Sequence, residues 1–401
     1  MKIAIVLEIF LPTVNGIITS SINLAENLIA QGHEVIFITP AWEAWDRSIR
    51  VGSVPVFYIQ SSNNRSYPGM RNVLPWNRRV AAILQREQVD VVHITGPWLL
   101  TLACIRAARR QGIPVVHTFH TMLHEPAYIL YMFRTPLLVP VLQAVAWWYY
   151  SFFVRPAAVN TGPSQMVCDQ LQEHFPAADI RRISNGVDTE RFAAFPSFEE
   201  VQRRVPEFNH KTLIYVGRIG PEKSVDELVH AMALVRRRDP EIRLILVGDG
   251  PGAERYRELA DNLGLNDTVR FLGRIPHEEL VSSGLVQHAR AFVTASTTEN
   301  QPMTVIEAIC CDRPALVPDV PGIRELVESN GVLFQPHVPQ SIADAIIRIC
   351  TDEQLYQSCL KATAQMKVRF DGSSVARQFL AVYREVQNSG RLQPPPGTSL
   401  G

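Results

Sequence analysis

Net charge is absent from this 401-residue chain: 39 basic residues balance 39 acidic ones. Without a global field to draw it there, nucleic acid is set aside as a partner. No Cys-x-x-Cys and no metal-ligand spacing links the six cysteines Cys104, Cys168, Cys310, Cys311, Cys350 and Cys359. They read as reduced thiols of a cytosolic protein. Gly-x-Gly-x-x-Gly is also missing, and with it the fingerprint of a dinucleotide-dependent dehydrogenase. The apolar opening MKIAIVLEIFL is broken by Glu8, and no small-residue cleavage site follows closely. It is expected to be a buried first strand and not a signal peptide.

What is present is apolar material, 46% of the chain, enough for real cores. Length alone points to two or three domains. Short Val- and Ile-rich runs at 2–7, 34–39, 54–59, 89–94, 113–119 and 157–161 are apolar on both faces, as parallel strands covered by helices are. Between the first two, Ile18, Ile22, Ala25 and Ile29 recur at helical spacing, and Gly32 sits where a C-terminal cap belongs. The pattern restarts at 212–217, 242–248, 268–273, 291–296 and 314–318, after a polar stretch at 190–211. Two doubly wound α/β domains are therefore expected, each binding ligand beyond the carboxyl ends of its strands. The expected boundaries are 1–195 and 196–375, with a helix at 376–390 packing back toward the first domain and a disordered tail at 391–401.

Residues 135–154, TPLLVPVLQAVAWWYYSFFV, carry no charge over 20 positions. Three readings are open: a membrane span, a buried helix, or a segment in the membrane interface anchored by Trp147, Trp148, Tyr149 and Tyr150.

Four turns follow strand ends. In 215-YVGRIGPEKS-224, Arg218 and Lys223 suit phosphate oxygens. In 246-LVGDGPG-252, Gly248 lets backbone approach a nucleotide. In 11-LPTVNGI-17, Gly16 opens a helix whose amides favour an anion. In 296-STTENQPMTVIEAICC-311, Glu299 precedes and Glu307 follows a helix start near Pro302. A carboxylate accepts two hydrogen bonds at once, which suits a vicinal diol. Taken alone, Arg218 with Lys223 and Glu299 with Glu307 also fit solvated surface charge, and the glycine turn at 246–252 is a weak signal by itself.

With 117-HTFHT-121 and 184-SNGVD-188 added, the order and spacing of these pieces resemble the retaining glycosyltransferases of family 4 over residues 1 to about 385. The resemblance implies the GT-B fold, two facing Rossmann-like domains around a deep cleft. It implies that Glu307 holds the nucleotide ribose and Glu299 the donor sugar. Arg218 and Lys223 would clamp the diphosphate, Gly16 would let the first-domain loop near the phosphates, and His120 would sit at the reacting sugar. Amides of Asn300, Gln301, Pro302 and Met303 would touch the donor as a group, although Pro302 itself has no N–H. Catalytic roles fall on His120, Arg218, Lys223 and Glu299. No Asp-x-Asp is present, so cations and helix dipoles would replace a metal, and no cofactor is expected. Three departures stand out: 300-NQPM-303 where relatives carry a Gly-Phe-Gly-like segment, Ser224 in place of a glycine, and Asp312 in place of another. Aspartate tolerates a left-handed backbone, so that turn is expected to survive.

The acceptor side is less defined. Ten arginines lie from Arg47 to Arg110 against two acids, Glu87 and Asp90, with Trp42, Trp45, Tyr58, Tyr67, Trp76 and Trp98 nearby. Such a domain fits an anionic membrane surface, although scattered arginines over core aromatics would look the same. The segments 12-PTVNGI-17 and 117-HTFHTMLHEPAYI-129 resemble the branch that glycosylates diacylglycerol, and its mannosyltransferase cousins. The expectation is hexose transfer, glucose from UDP-glucose or mannose from GDP-mannose, to a membrane lipid by a cytoplasmic protein peripheral to the inner face. The alternatives are a soluble or polysaccharide acceptor, a nucleotide-sugar epimerase, and a non-catalytic nucleotide-sugar-binding protein. Oligomeric state is not readable.

Overall fold

Runs that are apolar on both faces need helices on both sides, and in the computed structural model they form two separate parallel sheets. The structure describes residues 1–11, 15–41, 51–52, 54–64, 70–126, 129–130 and 135–391. Outside them lie the 12–14 part of the first glycine turn, Trp42, Trp45, Tyr67, Arg47, Arg50, Arg65 and tail residues 392–401. Two units result: Met1–Gly186 joined by the chain from Gly372 onward, and Val187–Asp371.

In the first unit β1 (Lys2–Val6), β2 (Glu34–Pro40) and β3 (Val56–Ile59) are followed by a small antiparallel pair, β4 (Ser62–Asn63) and β5 (Arg71–Asn72). Then come β6 (Val91–Ile94), β7 (Val115–Thr118), β8 (Val159–Gly162) and β9 (Ile180–Arg182). The seven-stranded sheet has the order β3-β2-β1-β6-β7-β8-β9. Side chains alternate between two cores: Ile3 and Ile5 join one, Ala4 and Val6 the other. The first helix is Gly16–Ala30, and Gly32 has φ +81°, as its capping position requires. Glu8 is buried just past β1, where one oxygen accepts from Thr101 N (2.8 Å) at the start of helix Leu99–Arg110. Burial pushes this carboxyl up to about 7.

The second unit has β10 (Thr212–Val216), β11 (Arg243–Val247), β12 (Val269–Gly273), β13 (Ala291–Val293), β14 (Ala315–Pro318) and β15 (Gly331–Phe334). Their order is β12-β11-β10-β13-β14-β15, and every pair is parallel. Leu213, Leu244 and Leu246 face one core, and Ile214, Ile245 and Phe292 the other. In both sheets the chain winds outward from its first strand, then restarts on that strand's other side. Such a reversal opens a crevice at the carboxyl ends of the two central strands, here β1 and β6, or β10 and β13.

The division between units comes earlier than the polar stretch at 190–211. Phe192, Val201, Val205 and Phe208 are buried in the second unit's core, which draws 187–195 into that unit. The last helix, Gly372–Arg391, belongs to the first unit. Its Val375, Phe379, Leu380, Tyr383 and Val386 are buried with Ile18, Leu24 and Leu28.

Candidate active site

The two central strands of the second sheet end in the residues singled out above. After β10 the chain passes Gly217, Arg218 and Gly220 into a 3-10 turn, Pro221–Lys223. After β13 it runs through Ser296 to Glu299. Lys223 Nζ pairs with Glu299 Oε1, and Ser296 Oγ donates to that same oxygen at 2.9 Å. Both side chains of the pair are about four-fifths shielded, at 24% and 20% exposure, so their attraction is less screened than at an open surface. Arg218 is more open, at 62% exposure, with its Nε 3.3 Å from Glu222 Oε1. The described contacts thus join Lys223 to Glu299 and hold Arg218 to the adjacent turn.

Backbone geometry accounts for the glycines around this pair. Gly248 has φ +145°, and a Cβ there would run into the Gly217 carbonyl. Gly217 N donates to Val247 O (3.0 Å), and Ile219 N to Asp249 O (2.9 Å). The two strand-end loops are laced together, which is reason enough for Gly248 apart from any nucleotide. Ser224 holds φ +48°, a left-handed conformation that normally favours glycine. Asp312 likewise sits at φ +58° and completes the turn, with Lys367 Nζ 3.2 Å from its carboxylate.

Helix Met303–Cys310 starts with Pro302 as its cap residue and no capping side chain. Its first-turn amides and dipole therefore present a positive end. Asn300 and Gln301 are half-buried in the preceding loop, while Pro302 and Met303 are buried. Glu307 lies one turn into the helix, where its Oε1 meets His277 Nε2 at 2.9 Å. That hydrogen bond raises the His277 pKa. Glu307 also borders a small cavity with Thr304, Val216 and Phe192.

In the first unit, His120 follows β7 and lines a cavity with Ser20, Ser21, His93, Thr95 and Thr118. Burial lowers the His120 pKa to about 4 and that of His93 to about 3, so both rings are neutral at pH 7. His93 is held at both nitrogens: Nδ1 is 2.7 Å from Tyr383 Oη, and Nε2 is 2.6 Å from Thr118 Oγ1. Thr118 Oγ1 is in turn 2.7 Å from Thr161 Oγ1. This buried chain pins the end of β7, two residues before His120. Gly16 is exposed as the first residue of its helix, and the preceding Asn15 side chain accepts from Ile18 N at 3.0 Å. Gly186 carries its O to Asn23 Nδ2 (3.2 Å), and a Cβ there would press on Val375 and Gly372.

Comparison with known proteins agrees with this layout. The model for "Glycosyltransferase Family 4" matches residues 14–191, and that for "Glycosyl transferases group 1" matches 198–366. The chain belongs to glycosyltransferase family 4. It is 28% identical to the alpha-monoglucosyldiacylglycerol synthase of Streptococcus pneumoniae, over 83% of this chain and 75% of that one. It is 29% identical to a GDP-mannose-dependent alpha-mannosyltransferase of Mycobacterium tuberculosis, over 86% and 88% of the two chains. The structure of HepE from Anabaena, in complex with UDP, aligns with a TM-score of 0.75 at 22% identity, over 96% of this chain and all of that one. The fold of this glycosyltransferase is accordingly GT-B.

The aromatic segment of the enzyme needs correction. Tyr150 does not face outward: it is fully buried, its Oη donates to Thr121 O (2.6 Å) and accepts from Leu123 N (2.6 Å). Trp147 stacks on His174 (3.8 Å) and packs at a tilt against His124 (4.2 Å). Tyr149 is half-buried and donates to Pro97 O at 3.0 Å. Of the four, Trp148 is exposed, at 63%. His277, Ser296, His93 and Tyr383 were not singled out in the sequence. No spacing marks His277, His93 and Tyr383, because their partners are brought to them only by the fold; Ser296 lies three residues before Glu299, so that contact is local.

Proposed function

We propose that this glycosyltransferase moves a hexose, glucose or mannose, from a nucleotide-diphosphate sugar to a membrane lipid of the diacylglycerol kind, retaining the anomeric configuration. The observation that carries the reading is the Lys223–Glu299 pair at the β10/β13 reversal, beside the uncapped start of helix Met303–Cys310. Cleaving a sugar–phosphate bond develops negative charge on the departing diphosphate. Lys223, Arg218 and the helix amides would meet that charge, and one such donor is worth about 3 kcal/mol in the transition state. Glu299, held by Lys223 and Ser296, would receive hydroxyls of the donor sugar, and Glu307 the ribose diol. His120 would act at the reacting sugar as a neutral imidazole, and Gly16 would admit the phosphates to the first unit. The acceptor hydroxyl attacks the face from which the diphosphate leaves, and a departing phosphate oxygen takes its proton. The phosphate clamp in this scheme is made of protein cations and amides, so no metal is required.

The lipid acceptor is supported by the relatives, which include glucosyldiacylglycerol synthases. It agrees with a cytoplasmic enzyme peripheral to the membrane. The test is incubation with labelled UDP-glucose or GDP-mannose and diacylglycerol in mixed micelles. Label in the lipid phase, alpha-linked, is expected. Label found only in water-soluble acceptors would replace the lipid reading with a soluble one. Consumption of the donor with no acceptor present would point to an epimerase. Binding with no turnover would leave a nucleotide-sugar-binding protein.

A further inference from the structure

The uncharged segment resolves into a 3-10 turn, Pro136–Leu138, and a helix, Val139–Val154. This stretch is long and apolar enough to cross a membrane, yet only 22% of its most apolar window is buried in the protein. The inner face is committed. Tyr150, Phe153 and Val154 are fully buried, with Phe153 in one core and Tyr150 and Val154 in another. Lifting the helix out to span a bilayer would strip both cores.

The outer face is the unusual one. Val141, Val145, Trp148 and Phe152 recur at intervals of four, three and four residues, which places them in one stripe. Their exposures are 59%, 49%, 63% and 45%, and Leu137 just ahead of the helix is 90% exposed. A solvated helix carries polar residues on such a face; this one carries a continuous apolar row about 16 Å long, from the helical rise per residue. Trp148 and Phe152 pack edge to face, 5.0 Å apart.

Charge lies at one end of the row. Arg106, Arg109 and Arg155 share a surface depression with Phe152, and none of the described residues lining it is acidic. Arg106 also reaches the ring of Trp76 (6.0 Å), which is itself 68% exposed. An apolar stripe flanked by cations and an exposed tryptophan has the chemistry of the boundary between acyl chains and anionic headgroups.

We infer that helix Val139–Val154 docks this enzyme flat on an anionic phospholipid surface, its outer stripe in the acyl boundary and Arg106, Arg109 and Arg155 on headgroup phosphates. The inference deepens the lipid reading, but its test needs no transfer. The full chain is floated with vesicles of phosphatidylglycerol and phosphatidylcholine, and with vesicles of phosphatidylcholine alone. Binding to the mixed vesicles is expected, with the neutral ones about tenfold weaker. Val141→Glu with Val145→Glu should lower binding to mixed vesicles by about tenfold or more, with far-UV circular dichroism and Tm unchanged because both sites are exposed. Arg106→Ala with Arg109→Ala should weaken binding and flatten its salt dependence.

Wild type that stays with the soluble fraction overturns the proposal, and so does a valine variant that floats as well as wild type. A dimer by analytical ultracentrifugation that the valine variant splits assigns the face to a second copy and also overturns it. Lipid transfer in detergent without vesicle binding refutes the surface and leaves the acceptor reading standing. Vesicle binding without any lipid product supports the surface and refutes the acceptor.

Discussion

Lys223→Met removes the charge that faces Glu299 while keeping much of the side-chain volume. Glu299 would then have the Ser296 hydroxyl as the described partner of its Oε1, in a site about four-fifths shielded from water. Breaking a fully buried pair from one side costs about 3–5 kcal/mol. Discounted for the exposed fifth, about 1–3 kcal/mol is expected here. Lys223→Met combined with Glu299→Gln leaves no orphaned charge, so most of that loss should return. Activity should not follow stability. Without the cation on the leaving diphosphate, kcat should fall by about 10²–10³ in both the single and the double variant. Urea unfolding reads the first quantity and initial-rate transfer assays the second. If the double variant regains turnover along with stability, Lys223 acts only by holding Glu299, and the clamp is wrong. Turnover of Lys223→Met within threefold of wild type would sink it outright.

Three other expectations follow from single contacts. His277 should titrate above its ordinary value near 6.5, because Glu307 favours its charged form; in Glu307→Gln, histidine NMR should show it falling back. The sign follows: this pair's contribution to stability is complete below pH 6.5 and is lost as pH rises through the raised pKa. Ser224→Gly should raise stability by about 0.5–1 kcal/mol by relieving a left-handed serine, read as a higher Tm; an unchanged or lower Tm counts against strain there. Tyr383→Phe leaves His93 Nδ1 without its described partner, at a cost of about 1–3 kcal/mol. It should also lower kcat more than the donor KM, since β7 leads to His120; a loss of stability with intact kcat would leave the chain purely structural.

Much of the fold is legible in the chain because its strands are apolar on both faces and its turns carry glycine. Gly32 marks a left-handed position that could be read directly, Asp312 stands where the family resemblance puts a glycine, and Glu299 could be placed just beyond a strand. β9 and β15 escaped because three or four residues, two of them arginines in β9, carry no periodic signal. Glu8 looked only like an interruption. Its use, accepting from the start of a helix 93 positions on, is a tertiary fact. The same is true of Lys223 with Glu299, 76 residues apart, and of His93 with Tyr383, 290 apart. The aromatic segment misled for a related reason. A helix without a single charge has no polar face to orient it, so only packing shows that Tyr150 points inward and Trp148 outward.

In the proposed function, the β10/β13 strand ends of the second unit hold a nucleotide-diphosphate sugar. Isothermal titration of the full chain with UDP-glucose and GDP-mannose, beside Glu307→Ala, tests it most directly. Saturable one-to-one binding of one of the two donors to wild type is expected, weakened about tenfold or more when the ribose-facing carboxylate is gone. Equal affinity in the variant, or no binding of either donor to wild type, would contradict it.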